Sequence, residues 1–78
     1  MMKLILDPDV HAAYVEVTTR PVATTKRLDQ NRAIEYDENG DLVGIEFLAV
    51  HRGVALEELP FHEQLVRLFE GHDIRVYA

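Results

Sequence analysis

EYDENGDLVGIE, residues 35–46, admits two readings that lead to different folds. Against the calcium-loop template D-x-[DN]-x-[DN]-G-x5-E it sets Glu35, Asp37, Asn39, Gly40 and Glu46 at the required spacing, with Glu in place of the first Asp. A helix-loop-helix calcium site needs helices on both sides. Here the flanks, RAIEYD and LVGIEFLAV, alternate with the period of strands and are β-branched or aromatic. Asn39-Gly40 is also a strong hairpin signal, because a type I′ turn needs positive φ at both central positions. The stretch therefore predicts a hairpin whose carboxylates are spread along two strands, with weak calcium binding or none.

Two registers are open. A two-residue loop at Asn39-Gly40 sets Ile34 opposite Ile45 and Tyr36 opposite Val43, and gathers Ile34, Tyr36, Val43, Ile45 and Phe47 on one apolar face. A three-residue loop with a bulge at Gly40 sets Ile34 opposite Gly44 and Arg32 opposite Glu46. The first register makes the better apolar face. In alternation, Leu42 and Leu48 fall on the other side of this strand with Gly44 and Glu46, so both sides call for cover.

Lys3 to Asp7 reads as a short strand stopped by Asp7-Pro8. Ala13 to Thr19 is a second strand, with Ala13, Val15 and Val17 alternating against Tyr14, Glu16 and Thr18. Val22 to Asp29 is a third, polar enough for an edge, where Lys26 and Arg27 discourage stray pairing. Residues 51–60 read as a connection with a brief extended piece. Phe61, Leu65, Leu68 and Phe69 make one stripe of a helix over Phe61–Glu70, with Pro60 suited to its first turn, Gly71 to its C-cap, and Glu63 and Arg67 spaced to pair. Ile74 to Ala78 alternates again as a last strand. The expected fold is α+β: an antiparallel β-meander of about five strands, one amphipathic helix and a short terminal strand, in a single domain over residues 1–78.

A chain of 78 residues hides only about 60% of the surface it exposes when unfolded, so its core is marginal. Without cysteine it has no disulfide or thiolate zinc site to lean on, and self-association as a homodimer becomes the expected support, through the Leu42, Glu46 and Leu48 face. The alternative is a monomer in which the helix covers one face of the sheet and a loop the other. The apolar run after Lys3 is broken by Asp7 and Pro8, which argues against a signal peptide, and no apolar stretch approaches the roughly 20 residues of a membrane span. The expected setting is cytoplasmic. Fourteen acidic against eight basic residues give a formal charge of −6, which disfavours nucleic acid and anionic membranes, although Lys26, Arg27 and Arg32 form a local basic patch.

Four histidines, at 11, 51, 62 and 72, lack the spacing of a metal set; His62-Glu63 begins a zinc-helix motif, but Val66 stands where the second histidine belongs. They read as surface or capping residues, His72 beside the last helical carbonyls. Burial of Glu46 in an apolar strand would raise its pKa, yet a strand carboxylate paired with Arg32 or with Lys26-Arg27 accounts for it more simply. There is no Gly-rich phosphate loop, nucleophile elbow or Ser/His/Asp spacing, so neither a catalytic set nor a cofactor is expected.

LDPDVHAAYVEV and IEYDENGDLVGIEFLAV resemble the small prokaryotic proteins of domain-of-unknown-function family 2283, over roughly the first fifty residues. Asp7-Pro8, Tyr14 with Val15, and Val43 through Glu46 carry the resemblance; His11 and Leu6 depart from it, standing where an acidic residue and a Tyr are common. The resemblance implies a fold and no reaction. Some members look like antitoxin-type partners of small toxins. The expected function is accordingly a non-catalytic protein-interaction module, antitoxin-like toward a basic protein. The alternative is a small-molecule binder using Tyr14 and Glu46 in a sheet-helix crevice.

Overall fold

A computed structural model describes residues 2–77. Five antiparallel strands form one sheet: β1 (Lys3–Asp7), β2 (Ala12–Glu16), β3 (Thr24–Asp29), β4 (Arg32–Tyr36) and β5 (Leu42–Phe47). A 3-10 helix (Val50–Arg52), β6 (Val54–Ala55), α1 (His62–Glu70) and β7 (Val76–Tyr77) follow. The brief extended piece of the connection is β6, and the terminal strand β7 pairs with it in parallel, outside the main sheet. Ala78, assigned to that strand from the sequence, lies outside the described residues.

The sheet order is β1-β2-β5-β4-β3. Polarity explains it. Nearly all of β3 is exposed, whereas β5 is buried at Val43, Gly44, Ile45 and Phe47, so the chain carries β3 to an edge and closes β5 into the centre beside β2. On the covered face, Leu4, Val15, Ile45 and Ile34 line up across four strands, and Leu6, Ala13, Phe47 and Arg32 form a second row. Leu65 and Phe69 of α1 pack onto these rows with Leu56 and Leu59 of the connection. The Phe47 and Phe69 rings meet edge to face at 4.9 Å, a geometry favoured by the ring quadrupoles.

The hairpin combines parts of both expected registers. Gly40 N–H donates to the Asp37 carbonyl at 3.0 Å, Asp37 N–H donates to the Asp41 carbonyl at 2.8 Å, and Gly40 has φ +83°. This is a three-residue loop closed by a left-handed glycine, not the two-residue type I′ turn. Leu42 is opposite Tyr36, yet Gly44 is opposite Glu35, so Val43 is an extra residue on β5. That bulge cancels the offset of the loop and restores Ile34 opposite Ile45. It also moves Leu42 onto the side of Tyr36, where it packs against the core; Leu42 is not on the Gly44–Glu46 side that strict alternation assigned to it.

Helix α1 begins one residue later than the stripe suggested. Phe61 is its N-cap, left-handed at φ 59°, and Pro60 lies outside the first turn. Phe61 is exposed and stays out of the buried stripe. Arg67 and Glu63 make no ion pair among the described residues, while Gly71 does cap the helix and its N–H donates to the Arg67 carbonyl.

Arg32 is buried at the end of the covered face. Its Nε and Nη2 donate to Asp29 Oδ2 at 3.0 and 2.8 Å, and Nη1 donates to the carbonyls of Ala55 and Glu57 at 3.2 and 2.6 Å. One guanidinium thus joins the β3–β4 turn to the connection before α1. It also holds the Asp29 carboxyl below its usual range, with help from the Asn31 N–H. Arg32→Ala strands two carbonyls and is expected to cost about 2–3 kcal/mol, lowering Tm by roughly 10 °C or more. Arg32→Met is expected to do nearly the same, since the carbonyls remain unpaired, and Arg32→Lys to recover only part. Thermal unfolding of the three variants checks this, and a Tm within about 2 °C of wild type for Arg32→Ala would remove the guanidinium from this role.

Candidate functional site

Among the described residues, α1 and the connection before it pack on one face of the sheet, away from the second. Two rows cross it: Ile5, Tyr14, Glu46, Ala33 and Arg27, and beside it Lys3, Glu16, Gly44, Glu35 and Thr25. Each row holds one small residue near its middle, and a long side chain reaches across each. Arg27 Nη2 meets Glu46 Oε1 at 3.1 Å, from β3 to β5 over Ala33. Tyr14 runs diagonally from β2 over Gly44, and its hydroxyl donates to Glu35 Oε1 on β4 at 2.8 Å. A Cβ at Gly44 would fall on the Tyr14 hydroxyl and ring. Glycine in a central strand, usually a weakness, here gives the aromatic ring its seat. Gly44 and Ala33 are buried, Gly44 beneath the Tyr14 ring and Ala33 between the strands that the Arg27–Glu46 pair spans.

Tyr14 is surrounded by carboxylates. Burial raises its pKa well above the ordinary 10.0, and the hydrogen bond to Glu35 with the charges of Glu35, Glu16 and Glu46 raises it further. The phenol therefore stays protonated and acts as a donor, not as a base. Glu46 takes Arg27 as its partner, as expected of a paired strand carboxylate. Arg32 of the anticipated basic patch lies on the opposite face, in the core.

The calcium-like residues do not converge. Glu35 is held by Tyr14 and Glu46 by Arg27. Asp37 organises the turn: Oδ1 accepts the N–H of Asn39 and of Asp41, each at 2.9 Å, and Oδ2 accepts Arg20 Nη1 at 3.1 Å. The Asp41 N–H and then Arg20 hold its carboxyl below the usual range, so the stability it lends is present above about pH 4 and is lost as the carboxyl protonates in acid. Among the described residues no group of three or more His, Asp or Glu is arranged to hold a metal ion.

Of the residues singled out from sequence, Tyr14 and Glu46 are brought together as direct cross-strand neighbours on the open face. They border a shallow depression of about 120 Å³ with Ile5 and Asp7, not a crevice between sheet and helix, because α1 packs on the other side. Leu42 is removed to the core side, and Leu48 lies half-buried just past the end of β5, its N–H bonded to the Asn31 carbonyl. Sequence spacing did not reveal a second concave region, a cleft of about 670 Å³ that unites His11, His51 and His72 with Arg52 and Arg75. His72 does cap the helix, its Nδ1 lying 2.9 Å from the Leu68 carbonyl, as expected.

A family model described as "Protein of unknown function (DUF2283)" matches residues 3–50, which span the whole five-stranded sheet. No curated protein and no solved structure matches the chain. No described helix is long and apolar enough to cross a membrane.

Gly44→Ala is expected to expel the Tyr14 ring, break the bond to Glu35 and cost about 1–3 kcal/mol. The phenol is protonated more firmly in the folded than in the unfolded chain. Its contribution to stability is therefore complete below pH 10 and declines as pH rises above that value, where the unfolded phenol ionises first. Phenolate absorbance of wild type minus Tyr14→Phe isolates this titration among the three tyrosines. The midpoint is expected well above 10.0 in wild type and close to it in Gly44→Ala; an ordinary midpoint in wild type contradicts the packing described.

Proposed function

The chain belongs to the DUF2283 family, and we propose from its own surfaces that it is a small non-catalytic protein-interaction module whose docking surface is the open face of the sheet. The observation that carries this reading is the asymmetry of the sheet: the helix and connection cover one face, and the other presents Tyr14 among Glu16, Glu35 and Glu46. Lys3 and Arg27 at the margins leave that face acidic, in a chain of net charge −6. The complementary partner is a basic protein, steered by charge and held by contact with Tyr14 and Ile5, aromatic and apolar groups on a rigid sheet. An antitoxin-like role toward a small basic protein, in the cytoplasm, is the specific form of the proposal.

Homodimerisation is proposed through a different surface from Leu42 and Leu48. Strand β1 is a sheet edge, with Ile5 and Leu6 each exposed by about two-fifths. Its run from Leu4 to Leu6 lacks the charge or proline that blocks stray pairing.

Affinity capture of the tagged chain from its native cell, at low and moderate salt, followed by titration of the two purified proteins, tests the module. The expected partner is basic and stoichiometric, binds more weakly as salt rises, and loses at least about tenfold in affinity to Glu16→Lys/Glu46→Lys while Glu57→Lys leaves it unchanged. A partner indifferent to the face reversal, or no stoichiometric partner, overturns the reading. Light scattering at micromolar concentration tests the dimer: Ile5→Lys is expected to convert it to monomer, and a monomeric wild type refutes it.

A further inference from the structure

Three segments far apart in the chain meet at the 670 Å³ cleft: the β1–β2 turn with Pro8 and His11, the 3-10 helix Val50–Arg52, and the segment His72 to Arg75 after α1. Its polar lining is cationic although the chain is acidic. Arg20, Arg27 and Arg32 are engaged by carboxylates elsewhere, whereas Arg52 and Arg75 make no ion pair among the described residues. Asp73 is the single acidic residue of the lining. The carbonyls at the end of α1, which would repel an anion, are already occupied: Arg67 by the Gly71 N–H, Leu68 by the His72 ring, Phe69 by the N–H of His72 and Ile74, and Glu70 by the Asp73 N–H.

The His11 and His51 rings face each other with centroids 3.9 Å apart and planes inclined at 38°. Two imidazoles so close resist joint protonation unless a negative charge lies near. Burial, the charge of His11 and that of Arg52 keep the His51 imidazole below its ordinary 6.5. Arg75, His72 and Asp73 complete the titratable and charged lining. The backbone adds an independent observation. Of the five left-handed residues that are not glycine among those described, His11, Ala49 and Asp73, at φ 56°, 54° and 58°, each belong to or adjoin a different one of the three segments, while Glu58 and Phe61 lie before α1. Such strain persists where the surrounding structure enforces it, and it clusters at sites of function.

We propose that this cleft is a binding site for a small organic anion, a phosphate or carboxylate held by Arg52, Arg75 and the imidazoles, with its apolar body against Leu6, Val50 and Ile74. Guanidinium forks suit both oxyanions, and the cleft volume falls in the range of small-molecule sites. Two exposed edges of an imidazole pair add donors once protonated, so an anion and the His11–His51 protons favour each other. The site is independent of the open sheet face and stands or falls separately from the docking surface proposed there.

Amide and imidazole NMR of the full chain tests it, with phenyl phosphate and benzoate as the two anionic probes, inorganic phosphate as charge without an apolar body, and phenol as body without charge. Phenyl phosphate or benzoate is expected to give saturable shifts in residues 8–12, 50–52 and 72–75, tighter than inorganic phosphate or phenol. The better of the two identifies the oxyanion. The C2–H titration midpoint of His51 rises in its presence. Arg52→Ala/Arg75→Ala weakens binding at least about tenfold while the sheet resonances stay in place. Arg67→Ala, outside the cleft, and Glu16→Lys/Glu46→Lys, on the open face, leave binding intact. Absence of saturation by either anion up to roughly 10 mM, shifts gathered instead around Arg20 or Arg27, or unchanged affinity in the double variant overturns the proposal.

Discussion

A sheet has two faces, and the described residues supply one α-helix to cover them. The central strand β5 must nevertheless be kept from water on both sides, because its backbone and its apolar residues lie between β2 and β4. The helix and the connection resolve one side through Phe47, Phe69, Leu56 and Leu65. The other is resolved without a second layer. Small residues, Gly44 and Ala33, take the positions nearest the middle, and a phenol and an ion pair lie flat across them. Tyr14 contributes both of its characters there, a ring that buries glycine and a hydroxyl that satisfies Glu35. This arrangement leaves the face polar at its surface and dry beneath it, and so free for contact without being exposed core.

Much of that fold is legible in the sequence because it follows from period and polarity. Alternation located the strands, the Lys26-Arg27 run announced an edge, and the i, i+4, i+7, i+8 spacing found the helix. The hairpin shows where such reading stops. Asn39-Gly40 satisfies two turn types, and only the choice made by the Asp37 carboxylate, which captures the amides of Asn39 and Asp41, selects the longer loop. The compensating bulge at Val43 is then imposed by packing: without it Ile34 would lose Ile45, and a whole strand face would turn outward. Leu42 changes sides as a consequence. Leu56 and Leu59, in a stretch with neither period, enter the core because Arg32 draws their segment in by its carbonyls, a long-range contact with no local signature.

The candidate sites divide along the same line. Tyr14 and Glu46 belong to strands of legible register, so their proximity could be anticipated, though not the side of the sheet from which α1 is absent. The cleft could not be anticipated, since His11, His51 and His72 come from three turns whose meeting is decided by tertiary packing. Counting histidines against metal spacings asks about a different chemistry. The more useful signal is local: His11 stands where the family resemblance led one to expect an acid, and Arg52 and Arg75 are, with Arg67, the arginines that make no ion pair among the described residues.

Net charge conceals this division of labour. The net charge of −6 coexists with a cleft, where the β1–β2 turn meets the segment after α1, whose lining sets Arg52 and Arg75 against Asp73. Three left-handed positions lie in or beside the segments that meet there. Left-handed conformations at His11, Ala49 and Asp73 cost of order 1–2 kcal/mol each, against a total stability of about 5–15 kcal/mol for a typical domain. Glycine would relieve each position at little steric cost. At His11 it would also remove the ring that faces His51, while the backbone bond from the Val50 N–H to the His11 carbonyl, at 2.9 Å, needs no side chain. The strain and the histidine pair are therefore two aspects of one feature: the same turn that bends the chain into β2 sets an imidazole against its neighbour from the 3-10 helix.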